Sequence, residues 1–554
     1  MRHQPLAFLM GLALTVPTSF AGEEWNAPYP GAGHWFGFSV ASAEGLNLVG
    51  APLENRAGSQ TGVVYLMDTG LVVRKESRIT PVSRQQGQRF GWDADLMGDV
   101  MVVGAPGSGS MVGQAYVFER IGGAWVQTTI LNGMPGHGGD GFGSSVAIEG
   151  DRILVGAPED NGNGPQAGAV YAFSRGVSLW VLDEVIRAPH TGPGDQFGFA
   201  LDMDGDGAVI GAFSANTHVY NEGAAYVYRW DGASYAHEAE LWAATPRSNA
   251  MFARCVAILG DRVAVGATED HANDMRSGSV SLFSKQGRLW SHEDRVQAPG
   301  REVGNAFGYA VALKSEGLVV GAPLATKGGV RGGSAFVFHP IGPNWEFTVE
   351  FDPPAPAQSG DFTGVTVSLA ESGALVGAMR RDLPLYDAGA VFSFTAEDVD
   401  VPLIVSFCGC DEGGSCGTAP QLDGCQNSTG AGATMIASGS TSLTNDDLTL
   451  FMDGLPRRAP TFVLMGIPGV ATMAFDGQYC ISDSDANVLV VESMRANGVG
   501  FAATRRRIFR YASRKGLTVL TGSSWAFQAM YYDRRGPCGT QYNFSNALCV
   551  TLVP

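Results

Sequence analysis

At 554 residues the chain is several times longer than one ordinary domain, and 45% hydrophobic residues with a mean hydropathy of +0.04 give it ample apolar area to bury, which excludes a largely disordered polymer. Its net charge of −18 falls entirely on residues 1–400, which hold 25 Lys and Arg against 43 Asp and Glu, whereas residues 401–554 hold 11 of each. So acidic a surface repels phosphate backbones, and nucleic acid is excluded as an expected partner.

The first 21 residues combine Arg2 and His3 with an apolar run from Leu6 to Val16 and a small-x-small ending at Ser19-Phe20-Ala21, the pattern of a secretory signal peptide. The rival is a membrane anchor, but the run is too short to span about 30 Å of hydrocarbon as a helix. No later segment has 18 consecutive apolar residues, so no membrane span is expected.

From residue 36 a block of about 55 residues recurs seven times. Its opening pair stands at Phe36-Gly37, Phe90-Gly91, Phe142-Gly143, Phe197-Gly198, Phe252-Ala253, Phe307-Gly308 and, degenerate, Thr363-Gly364. Fourteen residues after each first position comes a closing glycine followed by alanine, at Gly50, Gly104, Gly156, Gly211, Gly266, Gly321 and Gly377. Between the two marks the apolar residues alternate with period 2, as in SVAIEGDRILVGA, with Gly150-Asp151 as the hairpin signal. A third strand such as Ala167–Phe173 and a fourth such as Ala124–Leu131 complete a four-stranded meander per repeat. One such sheet cannot bury both faces, but seven arranged radially can, with small residues where the sheets approach.

These paired motifs resemble the FG-GAP repeat of integrin α-subunit propellers and related bacterial secreted proteins, over roughly residues 34–397. The resemblance implies an all-β fold with a seven-bladed propeller used for adhesion or ligand recognition. The seventh repeat runs into the next domain after its third strand, so its outer strand is expected from residues 22–30, where Trp25 echoes Trp125 and Trp290.

Integrin-like repeats often carry a calcium loop, and Asp202-Met203-Asp204-Gly205-Asp206-Gly207 begins like one. Its ninth position is Ile210 and the repeat has no insertion, so a polar hairpin is expected here and no cofactor is assigned, calcium being disfavoured. Cys255 aligns with Ser145 and is expected to be a free buried thiol. Strand direction sends the loops after the closing motif and those before the opening motif to one face, which supplies the candidate binding residues: Glu159, Asp160 and Asn161; His218 and Tyr220; Asp270, His271 and Asp274; Arg380, Arg381 and Tyr386. Solvated connectors are the bland alternative for each loop.

Residues 401–554 read as a small disulfide-bonded β-sandwich-like domain, with alternating runs at 448–455, 461–467, 487–493 and 526–533. Seven cysteines, Cys408, Cys410, Cys416, Cys425, Cys480, Cys538 and Cys549, suit a disulfide framework in an exported chain; a zinc site is the rival for the first three, weakened by the absence of any histidine after His339. Arg505–Arg507 with Arg510, Arg514 and Lys515 reads as a charged strand edge or, alternatively, an anion patch. The Gly-x-Ser-x-Gly match at Gly413–Gly417 has no downstream histidine, and His237-Glu238 lacks the second histidine of a zinc-protease helix, so no catalytic residue is assigned. The resulting organisation is a signal peptide 1–21, a propeller 22–400 and a Cys-rich β domain 401–554. The expected function is secreted, non-catalytic binding of an extracellular protein or glycan through the propeller loops. A hydrolase or lyase assembled from several blades, or a passive surface component, are the alternatives.

Overall fold

The computed structural model describes residues 19–395 and, beyond them, strands and turns between 405 and 551, apart from short stretches within each, the longest being 69–77 and 408–432. Two compact units result, Pro17–Val399 and one containing Asp400–Pro554.

The first unit is built of seven four-stranded antiparallel sheets. Blade 3 shows the plan. Strands Ser145–Glu149 and Arg152–Ala157 form a hairpin, then Ala169–Arg175 and Trp180–Ile186 are added outward in order. Each inner strand packs on the inner strand of the next blade, and that of blade 7 (Thr363–Ala370) packs on that of blade 1 (Ser39–Ala43), which closes the ring. The opening phenylalanines are fully buried, each edge-on to a tyrosine of its own blade in blades 1 to 4, as Phe142 is to Tyr171 at 5.2 Å. Blade 7 takes its fourth strand from the other end of the propeller: Glu23–Asn26 pairs antiparallel with Ala390–Thr395, with Trp25 opposite Val391. Ser19–Ala21 adds a parallel fifth strand to the outer edge of blade 6.

The motif glycines sit where blades meet. A Cβ on Gly156 would stand 2.1 Å from the carbonyl oxygen of Gly198 in the next blade, and backbone cannot yield as a side chain can. The inner strands are also joined by hydrogen bonds, of two kinds. In blades 1, 3 and 5, Ser39, Ser145 and Cys255 donate to the carbonyls of Gly91, Gly198 and Gly308 in the following blade. In blades 2 and 4, Asp93, Asp95, Asp202 and Asp204 accept from the N–H groups of Val146, Ile148, Ile258 and Gly260. Cys255 is thus a free thiol, pushed up to about 12 by burial.

The second unit contains a five-stranded sheet in the order 405–407, 542–551, 524–532, 460–466, 489–495 and a three-stranded sheet of 434–438, 449–453 and 502–503. Met435, Leu450 and Met452 of the smaller sheet share one core with Val463, Phe527 and Tyr531 of the larger. The charged run is not a strand edge: Ile508–Arg514 is a short helix, because Ile508, Phe509 and Ala512 recur at helical spacing and all three enter that core. Arg505, Arg506 and the side chains of the seven C-terminal cysteines lie outside the described residues.

Candidate recognition face

Within each blade the first strand runs away from the opening motif and the second returns to the closing one. The ends of strands 2 and 4 and the starts of strands 1 and 3 therefore share one face, opposite the short hairpins. All the candidate loops lie on it.

Four residues past each closing glycine the chain turns inward. Glu54, Ser108, Asp160, Ala215, Asp270, Ala325 and Arg381 occupy this position, and all are buried. Where the residue is acidic, an arginine from the outer part of the same blade meets it: Arg78 on Glu54 at 2.8 Å, Arg187 on Asp160 at 2.8 Å and Arg295 on Asp270. The Tyr171 hydroxyl also donates to Asp160 at 3.0 Å, and the Arg187 guanidinium with these hydrogen bonds outweighs burial to hold that carboxyl below its usual range. In blade 7 the signs are exchanged. Arg381 lies between Asp361, at 2.7 Å, and Glu24 of the N-terminal strand, at 3.3 Å. Asp160, Asp270 and Arg381 therefore spend their charge inside their own blades.

Of the other loop candidates, Glu159, Asn161, His218, Tyr220 and Tyr386 are exposed. Asn161 braces its own loop, accepting from the Gln166 N–H at 3.1 Å. His218 lies 3.0 Å from Glu222 and 5.2 Å from the Trp242 ring. His271 pairs with Arg276 in a small hairpin, and Asp274 lies outside the described residues.

The structure brings together a set that the loop argument overlooked. The residue before each opening motif, in the left-handed region at Trp35, Arg89, Gln196, Met251, Ala306 and Phe362, and the residue just after it frame the loop-face end of the inner strands. Trp35 stacks on Phe38 at 5.8 Å, and Phe38 meets Trp92 of the next blade at 4.6 Å. Arg254 lies over Phe199 at 4.5 Å on one side and Tyr309 at 4.7 Å on the other, donating to the Tyr309 hydroxyl at 3.0 Å. Arg380 covers Trp35 and Phe362 at 5.7 and 5.0 Å. These rings and guanidinium groups are half-buried, so part of each remains open to solvent. The signal for them lay in the column just after the opening pair, which is aromatic or Arg in five of the seven repeats.

The hairpin of blade 4 commits Asp202 and Asp204 to backbone N–H groups of blade 5, while the exposed Asp206 lies 3.6 Å from Arg152. Among the described residues no group of three or more His, Cys, Asp or Glu is placed to hold a metal ion, and no helix is long and apolar enough to cross a membrane.

The FG-GAP repeat model matches residues 73–118, 125–173, 180–228, 235–283 and 290–338. Each match starts near the outer strand of one blade and ends in the third strand of the next; the flanking repeats at Phe36 and Thr363 are the two that bring the ring to seven. Integrin alpha-11 of Homo sapiens is 31% identical over 196 residues, covering 31% of this chain and 16% of that protein, so the chain spans well under two thirds of the relative it resembles. Repeat, register and blade count agree, and the chain is an FG-GAP repeat protein with an integrin α-like β-propeller, a binding or adhesion type of scaffold.

Proposed function

We propose that this protein is a secreted, non-catalytic recognition module that holds an extracellular protein or glycan on the loop face of its propeller. The observation that carries the reading is the aromatic and arginine rim at the loop-face end of the inner strands. Trp, Tyr and Arg dominate the energetics of protein interfaces because they combine large area with a polar handle, and a flat ring serves the apolar face of a sugar equally well. Here they come from several blades of a rigid ring, so little order has to be gained on binding. Tyr220, Tyr386 and Glu159 on the surrounding loops supply the outer contacts. A pulldown from the producer's surface extract tests this: the wild-type propeller enriches a specific component, and Trp92→Ala with Phe38→Ala, at unchanged melting temperature, loses it. Equal recovery by both proteins, or no enrichment by either, defeats the proposal.

A further inference from the structure

The residues just after the seven opening pairs, Phe38, Trp92, Ser144, Phe199, Arg254, Tyr309 and Val365, form a collar at the loop-face end of the inner strands. Blade 5 alone puts a cation into it. Arg254 lies over Phe199 at 4.5 Å and Phe213 at 5.7 Å on the side of blade 4, and over Tyr309 at 4.7 Å on the side of blade 6. Ring faces are negative and attract cations, and here the chain's own guanidinium already takes that place between the rings.

Arg254 also differs from the arginines inside the blades. Arg78, Arg187, Arg295 and Arg381 each meet a carboxylate. Arg254 meets none among the described residues. Its hydrogen bond goes to the neutral Tyr309 hydroxyl at 3.0 Å and uses one of the several N–H groups of the guanidinium. Two more arginines of the rim lean on rings in the same way. Arg380 rests on Trp35 and Phe362 with its buried Nε unpaired, and Arg89 lies 5.5 Å from the Trp92 ring. Asp387 feels the charge of Arg380 without pairing to it.

The rim is thus positive, whereas residues 1–400 as a whole hold 25 Lys and Arg against 43 Asp and Glu. That contrast selects the ligand. A polyanion such as a sulfated glycan would set many charges against an acidic surface for the sake of these few arginines, and repulsion prevails. A single carboxylate meets no such opposition: a guanidinium holds it with two parallel N–H donors, and the partly open rings alongside receive apolar flanking groups.

We propose that the collar binds a protein ligand through one Asp or Glu side chain set between apolar residues, with the carboxylate docking on Arg254 and the flanking groups on the surrounding rings. Tyr309 is a positioning residue, its hydroxyl fixing the guanidinium. The inference rests on reading the rim as the recognition surface, and it names the group recognised there.

The test titrates the peptide N-acetyl-Phe-Glu-Phe-amide calorimetrically into the whole protein, with N-acetyl-Phe-Gln-Phe-amide and a heparin oligosaccharide as controls. Saturable binding of the Glu peptide is expected, with binding weaker by roughly tenfold or more for the Gln peptide and in Arg254→Gln. No saturable binding, equal binding of the two peptides, tighter binding of the heparin oligosaccharide, or unchanged binding in Arg254→Gln overturns the proposal. If Arg254→Gln does not fold, Tyr309→Phe decides: it is expected to weaken the Glu peptide and leave the Gln peptide unchanged, and any other result overturns the assignment. The pulldown with Trp92→Ala and Phe38→Ala reports the rim reading separately; specific enrichment there without preference for the Glu peptide here defeats the carboxylate alone.

Discussion

Blades 3 and 7 have the same backbone and opposite interiors. Blade 3 draws all its strands from residues 145–186 and buries an acid, Asp160, against Arg187; blade 7 joins residues 363–395 to 23–26 and buries a base, Arg381, against Asp361 and Glu24. The topology thus accepts a neutralised charge of either sign at this position, and in blades 2, 4 and 6 it takes the uncharged Ser108, Ala215 and Ala325 instead. The two differ in exposure: Arg187 is about one quarter exposed, whereas Arg381 and Asp361 are each 1% exposed. Arg381→Ala therefore strands a fully buried carboxylate and is expected to cost ~3–5 kcal/mol. Asp160→Ala leaves an arginine that can turn outward to water, and is expected to cost about 1–3 kcal/mol. Urea midpoints of the two variants measure the difference; equal costs would show that exposure does not set it.

Most of the ring was legible, because the constraints that build it are local. The opening and closing motifs keep their spacing through all seven repeats, with glycine at the opening position in six and at the closing position in all seven, since each marks a close approach of blades, and the period-2 alternation between them can only be a hairpin. Trp25 gave away the outer strand of blade 7 by its likeness to Trp125 and Trp290. The buried charges were not legible. Asp160 and Asp270 stand in polar loops and look like solvent-facing residues, while their arginines arrive 27 and 25 positions later, and Glu24 lies 357 positions from Arg381. The rim was missed for a related reason: its residues come from separate repeats and meet only when adjacent blades pack. In the C-terminal unit a basic run concealed the three apolar residues that make Ile508–Arg514 a helix.

The second comparison is between the joints of odd and even blades. Ser39 and Ser145 do not titrate near neutrality, whereas Asp93, Asp95 and Asp202 are raised to about 6, 7 and 7. Desolvation is the main cause, because each carboxylate is turned into the wall between strands. The native state therefore holds protons that the unfolded chain has already lost above pH ~4, so the stability they contribute is present in acid and lost as pH rises through 6 to 7. His339, lowered to about 4 by burial, acts against this below pH ~6.5, and Glu238, held at about 2 with Lys285 and Arg229 opposing its burial, only below ~4.5. Between pH 8 and 6.5 the aspartates prevail, and the melting temperature is expected to rise by a few degrees. Asp95→Asn, which keeps an acceptor for Ile148 without the charge, should reduce that slope. A slope unchanged by the substitution would assign the pH dependence to other groups.

The finest distinction lies at the second position of the opening motif, glycine in six blades at φ 84 to 89° and alanine in blade 5, where Ala253 holds φ 64°. The left-handed region costs an L-residue about 1–2 kcal/mol. Space matters as well. A Cβ on Gly198 would meet the Ala169 carbonyl oxygen at 2.6 Å and Val170 Cγ2 at 2.9 Å, whereas the residue of blade 4 that corresponds to Val170 is Ala225, which has no γ carbon. The missing branch of Ala225 makes room for the methyl of Ala253, so what strain remains is in the backbone. Ala253→Gly should relieve it, less the ~0.4–1 kcal/mol that glycine's freedom costs through the unfolded chain, for a net gain of about 0.5 kcal/mol. Gly198→Ala, facing Val170, should instead destabilise. Thermal unfolding of the two variants measures both. A lower melting temperature for Ala253→Gly would mean that its methyl fills the gap beside Ala225 usefully enough to outweigh the strained backbone.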